Sequence, residues 1–207
     1  MTGVQVPHSL RPMIGAVLAG GESRRFGRDK AAAEIGGVPM VVRAFNALSA
    51  VCDEVVIVSS RPVPESWGPV LKDLRPGLGP LAGIESALCH ASKNKAATVF
   101  ILATDLPHVG PEVIEAIAVE AAKIVGSETA PALAVAARRQ GDPDFEPLCA
   151  VYRTECVGVI TSLLNEGERA ARSLLEAVGG KKVLLDPGLA KAVSINVNVP
   201  ADLERGL

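Results

Sequence analysis

The sequence predicts an α/β fold, a three-layer α/β/α sandwich on a mostly parallel sheet with a small antiparallel excursion in its C-terminal half. Two observations carry this. Short apolar runs at 13–19, 55–58 and 97–103 have the near-continuous hydrophobicity of strands buried on both faces, and helical periodicity follows them. The first and third runs also end at residues suited to ligands, Gly20-Gly21 and Thr104-Asp105. Open parallel sheets bind ligands at that end of their strands.

Taken in order, residues 1–12 contain Pro7 and Pro12 and no apolar stretch, and are expected to be a flexible tail rather than a signal peptide. The first strand leads into Gly20-Gly21-Glu22-Ser23-Arg24-Arg25-Phe26-Gly27-Arg28-Asp29-Lys30. Three arginines and a lysine within these eleven residues would repel one another without an anion to bind. The glycines let backbone N–H groups face that anion, so this is a phosphate-handling loop. It is neither a P-loop, since Arg28 follows Gly27 and Ala31 follows Lys30, nor the Gly-x-Gly-x-x-Gly dinucleotide fingerprint.

Gly36-Gly37 turns the chain, Pro39 stands at a helix start, and Met40, Val41, Ala44, Phe45, Leu48 and Val51 recur at helical spacing. Val55–Val58 is the second strand, and Val70-Leu71 adds a very short third. From Asp73 to Gly83 the chain is rich in Gly and Pro and opens a helix carrying Ile84, Leu88 and Ala91. This is either a plain strand-to-helix loop or, beside the basic loop, the second wall of one crevice. Asp105 could cap the turn that follows it. Next to a triphosphate cradle its task is to hold Mg²⁺, which takes a few hard oxygen ligands and phosphate oxygens. Pro111 starts another helix.

Beyond about residue 123 the character changes, which divides residues 13–207 into a nucleotide-binding half, 13–123, and an acceptor-binding half, 124–207, of one domain. Residues 131–136 and 147–152 read as paired strands that could cover one side of the crevice, with helices at about 154–164 and 168–178 and a late strand at 183–185. Arg169 and Arg172 share a helix face, which is either solvated or reaches an anion. A short helix opened by Pro200 ends the chain.

The net charge of −2 argues against a nucleic-acid or anionic-membrane partner. With 48% hydrophobic but only 3% aromatic residues, the core must be built from Val, Leu, Ile and Ala. Four cysteines without Cys-x-x-Cys spacing are expected to be buried thiols, not zinc ligands, and His8, His90 and His108 are too scattered for a metal site. No run has transmembrane length, and a cytoplasmic protein, monomeric or weakly oligomeric, is expected. The basic loop, Asp73 with its Gly-Pro loop, and Asp105 together suit attack of an acceptor on the α-phosphorus of a nucleoside triphosphate. Lys30 with Arg24 or Arg25 would neutralise the phosphoryl oxygens, and Asp105 would fix the metal.

The stretch Leu18–Lys30 resembles the opening signature of the molybdenum cofactor guanylyltransferases, the MobA-type nucleotidyltransferases. Asp73 with Pro76–Ile84 is similar to their second loop, and Thr104-Asp105-Leu106-Pro107 to their metal-binding Asp-x-Pro. Pro147-Leu148, Gly167-Glu168-Arg169 and Asn196–Leu203 resemble their C-terminal landmarks. The resemblance implies a Rossmann-like enzyme that uses GTP and Mg²⁺ to convert Mo-molybdopterin to its guanine dinucleotide form, releasing pyrophosphate. It implies that Gly20, Gly21 and Lys30 hold the triphosphate, that Asp73 lies near the guanosine end, and that Asp105 binds Mg²⁺. Leu18, Ala19, Gly79, Pro80 and Leu81 are candidates for the base pocket, and Arg169, Asn196 and Asn198 for the acceptor. It further implies transient contact with proteins that deliver or receive the cofactor. The alternatives are a CTP-using relative, a sugar-1-phosphate or isoprenoid-precursor nucleotidyltransferase, and a non-catalytic scaffold, which would have no need to keep Lys30, Asp73 and Asp105 together.

Overall fold

A computed structural model describes residues 6–20, 30–125, 134–138, 145–199 and 201–202. The elements run β1 (Met13–Leu18), β2 (Glu34–Ile35), β3 (Val38–Pro39), α1 (Met40–Ser49), β4 (Glu54–Ser59), β5 (Val70–Lys72), α2 (Pro80–Lys93), β6 (Thr98–Ala103), α3 (Pro111–Val125), β7 (Ala134–Arg138), β8 (Phe145–Arg153), α4 (Val157–Asn165), α5 (Ala171–Ala177), β9 (Lys181–Val183) and α6 (Pro187–Ser194). The main sheet has seven strands in the order β5-β4-β1-β6-β8-β7-β9, and β2 and β3 pair separately around Gly36-Gly37.

Strand alternation sorts the core into two layers. Met13 and Val17 of β1, Val55 and Ile57 of β4, and Phe100 and Leu102 of β6 pack with α1, α3 and α6. Ile14 and Ala16, Val56 and Val58, and Val99 and Ile101 pack with α2, α4 and α5. Gly15 faces α1, where a Cβ would lie 3.0 Å from Leu48 Cβ and 3.1 Å from Cys52 Sγ, so its missing side chain lets the helix settle onto the strand. Cys149 and Cys156 are buried, and Cys52 and Cys89 partly so. Burial pushes the Cys52 and Cys156 thiols up to about 12, where thiolate reactivity is suppressed.

β1 pairs in parallel with β4 on one side and β6 on the other. The chain leaves β1 over α1 to build outward through β4 and β5, then crosses back over α2 to β6. This reversal opens a crevice at the carboxyl ends of β1 and β6.

Three expectations are corrected. Over residues 6–12 the chain is packed, not frayed: His8–Leu10 forms a 3₁₀ turn, and Val6 and Leu10 are buried in the core. The Leu10 carbonyl accepts a 2.5 Å hydrogen bond from Thr98 Oγ1, Arg11 pairs with Asp53, and Asp53 Oδ2 accepts from Met13 N at 2.8 Å. The paired strands β7 and β8 are not a separate cover over the crevice, although Leu148 of β8 borders it. β8 runs antiparallel to β6, with Leu102 opposite Cys149, and so extends the main sheet. Its apolar run Cys149–Tyr152 is buried, which requires helices on both faces. The late strand comes two residues early, at Lys181–Val183, because parallel pairing with β7 uses Val183 as its buried residue and leaves Leu184 exposed.

Candidate active site

The crevice is a cleft of about 330 Å³ at the carboxyl ends of β1, β4 and β6, facing the first turn of α2. Leu18, Val58 and Ala103, from the ends of three neighbouring strands, give it apolar walls, with Leu148 from β8 beside them. Lys30, Asp73, Thr104 and Asp105 supply its polar groups.

Three distant segments meet at Asp105. Lys30 Nζ lies 3.3 Å from Asp105 Oδ2 and donates to Asn198 Oδ1 at 3.1 Å, a pairing that spans 168 residues of sequence. Both members of the ion pair are largely shielded, with 17% of the Lys30 side chain and 26% of the Asp105 side chain exposed. The Lys30 turn is fixed by Ala33 N donating to Lys30 O at 3.1 Å, and by Met40 N and Val41 N donating to Ala33 O and Ala31 O. The C-terminal segment is fixed by Val197, which is fully buried among Ala33, Ile35 and Met40 and donates its N–H to Asp105 O at 3.0 Å. Asp202 Oδ2 accepts from Asn198 N and Val199 N at 2.8 and 3.0 Å, closing a turn that presents the Asn198 side chain.

The opposite wall is the Gly-Pro loop. Asp73 is 8% exposed, and its Oδ1 accepts from Arg75 N at 2.9 Å and from Ser86 Oγ at 3.4 Å. The carboxylate therefore shapes the loop's first turn while lining the cleft. Gly79 caps α2 with φ +78° and ψ −172°, a conformation essentially restricted to glycine. Below the loop, Arg75 Nε pairs with Glu85 Oε2 at 2.9 Å, Arg75 Nη1 donates to Asn165 Oδ1 at 2.7 Å, and Thr161 Oγ1 donates to Glu85 Oε1 at 2.9 Å. Glu85 is 3% exposed, so removing its cation strands a buried carboxylate. Arg75→Ala is expected to lower unfolding free energy by about 2–3 kcal/mol in a urea titration. That is below the full cost of breaking a buried pair because Arg75 is itself partly solvated and Thr161 remains.

The model of the MobA-like NTP transferase domain matches residues 15–183, which contain both walls of this cleft. The chain belongs to the MobA-like NTP transferase family. As a MobA-like NTP transferase it is a nucleotidyltransferase. It is 34% identical over 202 residues to the molybdenum cofactor guanylyltransferase of Desulfosudis oleivorans, with 93% of each chain covered. It is 33% identical over 178 residues to a protein of Mycobacterium tuberculosis described as a probable molybdenum cofactor guanylyltransferase, with 84% of each covered. Among solved structures, molybdopterin-guanine dinucleotide biosynthesis protein A of Archaeoglobus fulgidus superposes with a TM-score of 0.73 at 26% identity, covering 93% of this chain and 95% of that one.

In this MobA-like chain the cleft brings together Leu18, Gly20, Lys30, Asp73, Gly79, Pro80 and Asp105 from the sequence-derived set, and Asn198 joins them through Lys30. Others fall elsewhere. The Leu81 side chain is fully buried in the α2 layer, so only its backbone stands at the helix start. Ala19 packs toward the α1/α3 layer. Arg169 precedes α5 and shares no helix with Arg172. Its guanidinium donates to Leu164 O and Glu168 O at 3.2 and 2.7 Å, and its carbonyl accepts from Leu81 N at 3.4 Å, tying that segment to the start of α2. The Asn196 amide oxygen is buried with no hydrogen-bond partner among the described residues. Gly21, Arg24 and Arg25 lie outside the described residues. Val58, one residue before the end of β4, lines the cleft too, and its apolar run marked it in the sequence only as part of a buried strand.

His108, three residues beyond Asp105, has a buried Nε2 with no hydrogen-bond partner among the described residues. Burial first, then the Arg43 and Lys191 charges, lower its pKa below the usual 6.5. The unfolded chain thus takes up this proton at a higher pH than the folded one. Stability is expected to fall as pH drops through 6.5 and to stop falling from this cause below the folded-state pKa. Urea midpoints on either side of that window should show a smaller decline in His108→Gln than in the parent chain; equal declines would remove His108 as the cause.

Proposed function

We propose that this chain transfers GMP from GTP to the terminal phosphate of Mo-molybdopterin in a Mg²⁺-dependent reaction, giving the guanine dinucleotide cofactor and pyrophosphate. The observation that carries the reading is the Lys30–Asp105 pair facing the start of α2 across one cleft. The names of the relatives supply the substrate class.

In this reading an acceptor phosphate oxygen forms a bond to the α-phosphorus of GTP, the bond to the β-phosphate bridging oxygen breaks, and pyrophosphate leaves with that electron pair. The acceptor is already an anion, so no general base is required. The Lys30 ammonium neutralises charge on the phosphoryl oxygens, joined by Arg24, Arg25 and the backbone of Gly20 and Gly21. Mg²⁺ is commonly held by one or two carboxylates plus phosphate oxygens, and Asp105, opening on the cleft, fits that demand. The ion would supply Lewis-acid neutralisation of the triphosphate. Leu18 and Pro80 offer apolar surface to the base, with Gly79 and the Leu81 backbone around it and Asp73 near the guanosine end. Asn198, with Asn196 near it in sequence, would meet the acceptor, while Arg169, its guanidinium held by Leu164 O and Glu168 O, braces the start of α2. We assign the reaction to the cytoplasm, where GTP is available, and the enzyme to a monomer or weak oligomer that meets its cofactor-handling partners transiently.

Parallel titrations with GTP, CTP and ATP in the presence of Mg²⁺ test the assignment, followed by pyrophosphate release with Mo-molybdopterin. GTP is expected to bind best, and Lys30→Ala to weaken it by about tenfold or more. Preference for CTP would overturn the guanylyl assignment and keep the transfer chemistry. Binding to none of the three would overturn both.

A further inference from the structure

A second concavity lies away from the cleft, between the outer face of α3 and the connection from β9 into α6, with a volume of about 500 Å³. Ala116 and Val119 of α3 and Leu185 and Leu189 form its apolar strip. Leu184 borders it with 73% of its surface exposed, the most open of the large hydrophobic residues described. Placing such a side chain in water forgoes about 1.5–3 kcal/mol of burial.

The rim is acidic on both sides: Glu112, Glu115 and Glu120 from α3, and Asp186 ahead of α6. Among the described residues only Glu120 has an ion-pair partner, Lys123 at 2.5 Å. Lys182, though close in sequence, is turned to the Phe145 ring at 5.0 Å, on the layer of α2, α4 and α5. A leucine-lined strip between unpaired carboxylates calls for an occupant that is apolar along its middle and cationic along its flanks. A second copy docking by two-fold symmetry would set acidic rim against acidic rim, and nucleic acid is repelled by the same charges.

We propose that this groove docks a cationic amphipathic helix of a partner protein. Leucine-type residues at i, i+4 and i+7 would enter the strip beside Leu184, and Lys or Arg on either side would pair with Glu112, Glu115 and Asp186. α3 starts directly after the Asp105 loop, and α6 runs into the segment whose Val197 N–H is bonded to Asp105 O, so the groove is built on the two elements that lead into the cleft.

Fluorescence anisotropy with a labelled synthetic helix of that pattern tests the proposal, using the full chain. A peptide of the same composition with its leucines scattered around the helix serves as a control, as does one with Lys replaced by Glu. The patterned cationic peptide is expected to bind, with affinity falling about tenfold or more in Leu184→Asp and in the double variant Glu112→Lys/Glu115→Lys. Neither control peptide should bind. These positions are at the surface, so both variants should retain the parent's circular dichroism and GTP titration. That separates this test from that of the nucleotide chemistry. No binding of the patterned peptide, equal binding to both variants, or equal binding of the scattered peptide would overturn the proposal. So would a dimer in sedimentation that Leu184→Asp dissolves, which would make a second copy the occupant.

Discussion

Asp105→Asn is expected to leave the fold in place and lower pyrophosphate release by about a thousandfold, on the order of 4 kcal/mol of transition-state stabilisation. The substitution keeps shape and one acceptor oxygen but removes the charge that would hold a divalent cation against the triphosphate. The backbone hydrogen bond from Val197 N to Asp105 O does not involve the side chain and persists. Lys30 keeps its hydrogen bond to Asn198 Oδ1 and can still meet the amide oxygen of the substituted side chain. Losing this largely shielded ion pair is therefore expected to change stability by about 1 kcal/mol, a small shift in melting temperature. Steady-state turnover, a thermal melt and a Mg²⁺ titration on the same preparation separate these effects. Turnover within twofold of the parent, with an unchanged Mg²⁺ dependence, would remove Asp105 as the metal ligand.

Gly79→Ala is expected to damage both stability and nucleotide binding. Its backbone, at φ +78° and ψ −172°, places any L side chain in a strained conformation costing about 1–3 kcal/mol. The added Cβ would also lie 3.1 Å from Arg169 O, the carbonyl that accepts from Leu81 N. Relief requires the Arg169 segment to move away from the start of α2, which weakens that hydrogen bond, so a total loss of about 2–4 kcal/mol is expected. Gly79 also lines the cleft, and GTP affinity should fall about tenfold or more with it. Gly77→Ala is the comparison: its φ is +84°, but a Cβ there meets nothing within 4 Å, so only backbone strain of about 1 kcal/mol is expected. Urea midpoints of the two variants decide the point, since equal losses would show that the Arg169 contact contributes nothing.

Local signals accounted for most of what proved readable. The runs at 13–18 and 98–103 are buried on both faces, as their unbroken apolar character demands, and Pro80 and Pro111 each begin a helix because their fixed φ and missing N–H suit that position. The cleft residues Gly20, Asp73, Gly79 and Asp105 were legible because each sits just past the carboxyl end of a strand or at the start of a helix, where sequence order alone fixes position in a parallel sheet. Lys30, in a turn ahead of β2, was legible instead from its charge within the basic stretch. Arg169 was misread for a matching reason. Its spacing from Arg172 suggested a shared helix, but the helix starts at Ala171, and the Arg169 backbone is taken up by Leu81.

The sequence by itself determined the β/α alternation, the two Gly-rich loops, the carboxylate at the end of β6 and the family resemblance, because these depend on residue type and short-range spacing. Only the tertiary structure decided that Leu10 belongs to the core, that β8 lies beside β6 in the main sheet, and that Asn198 meets Lys30 across 168 residues. Those outcomes depend on which apolar surfaces find one another in space. Composition and periodicity record that a surface must be buried, but not which partner buries it.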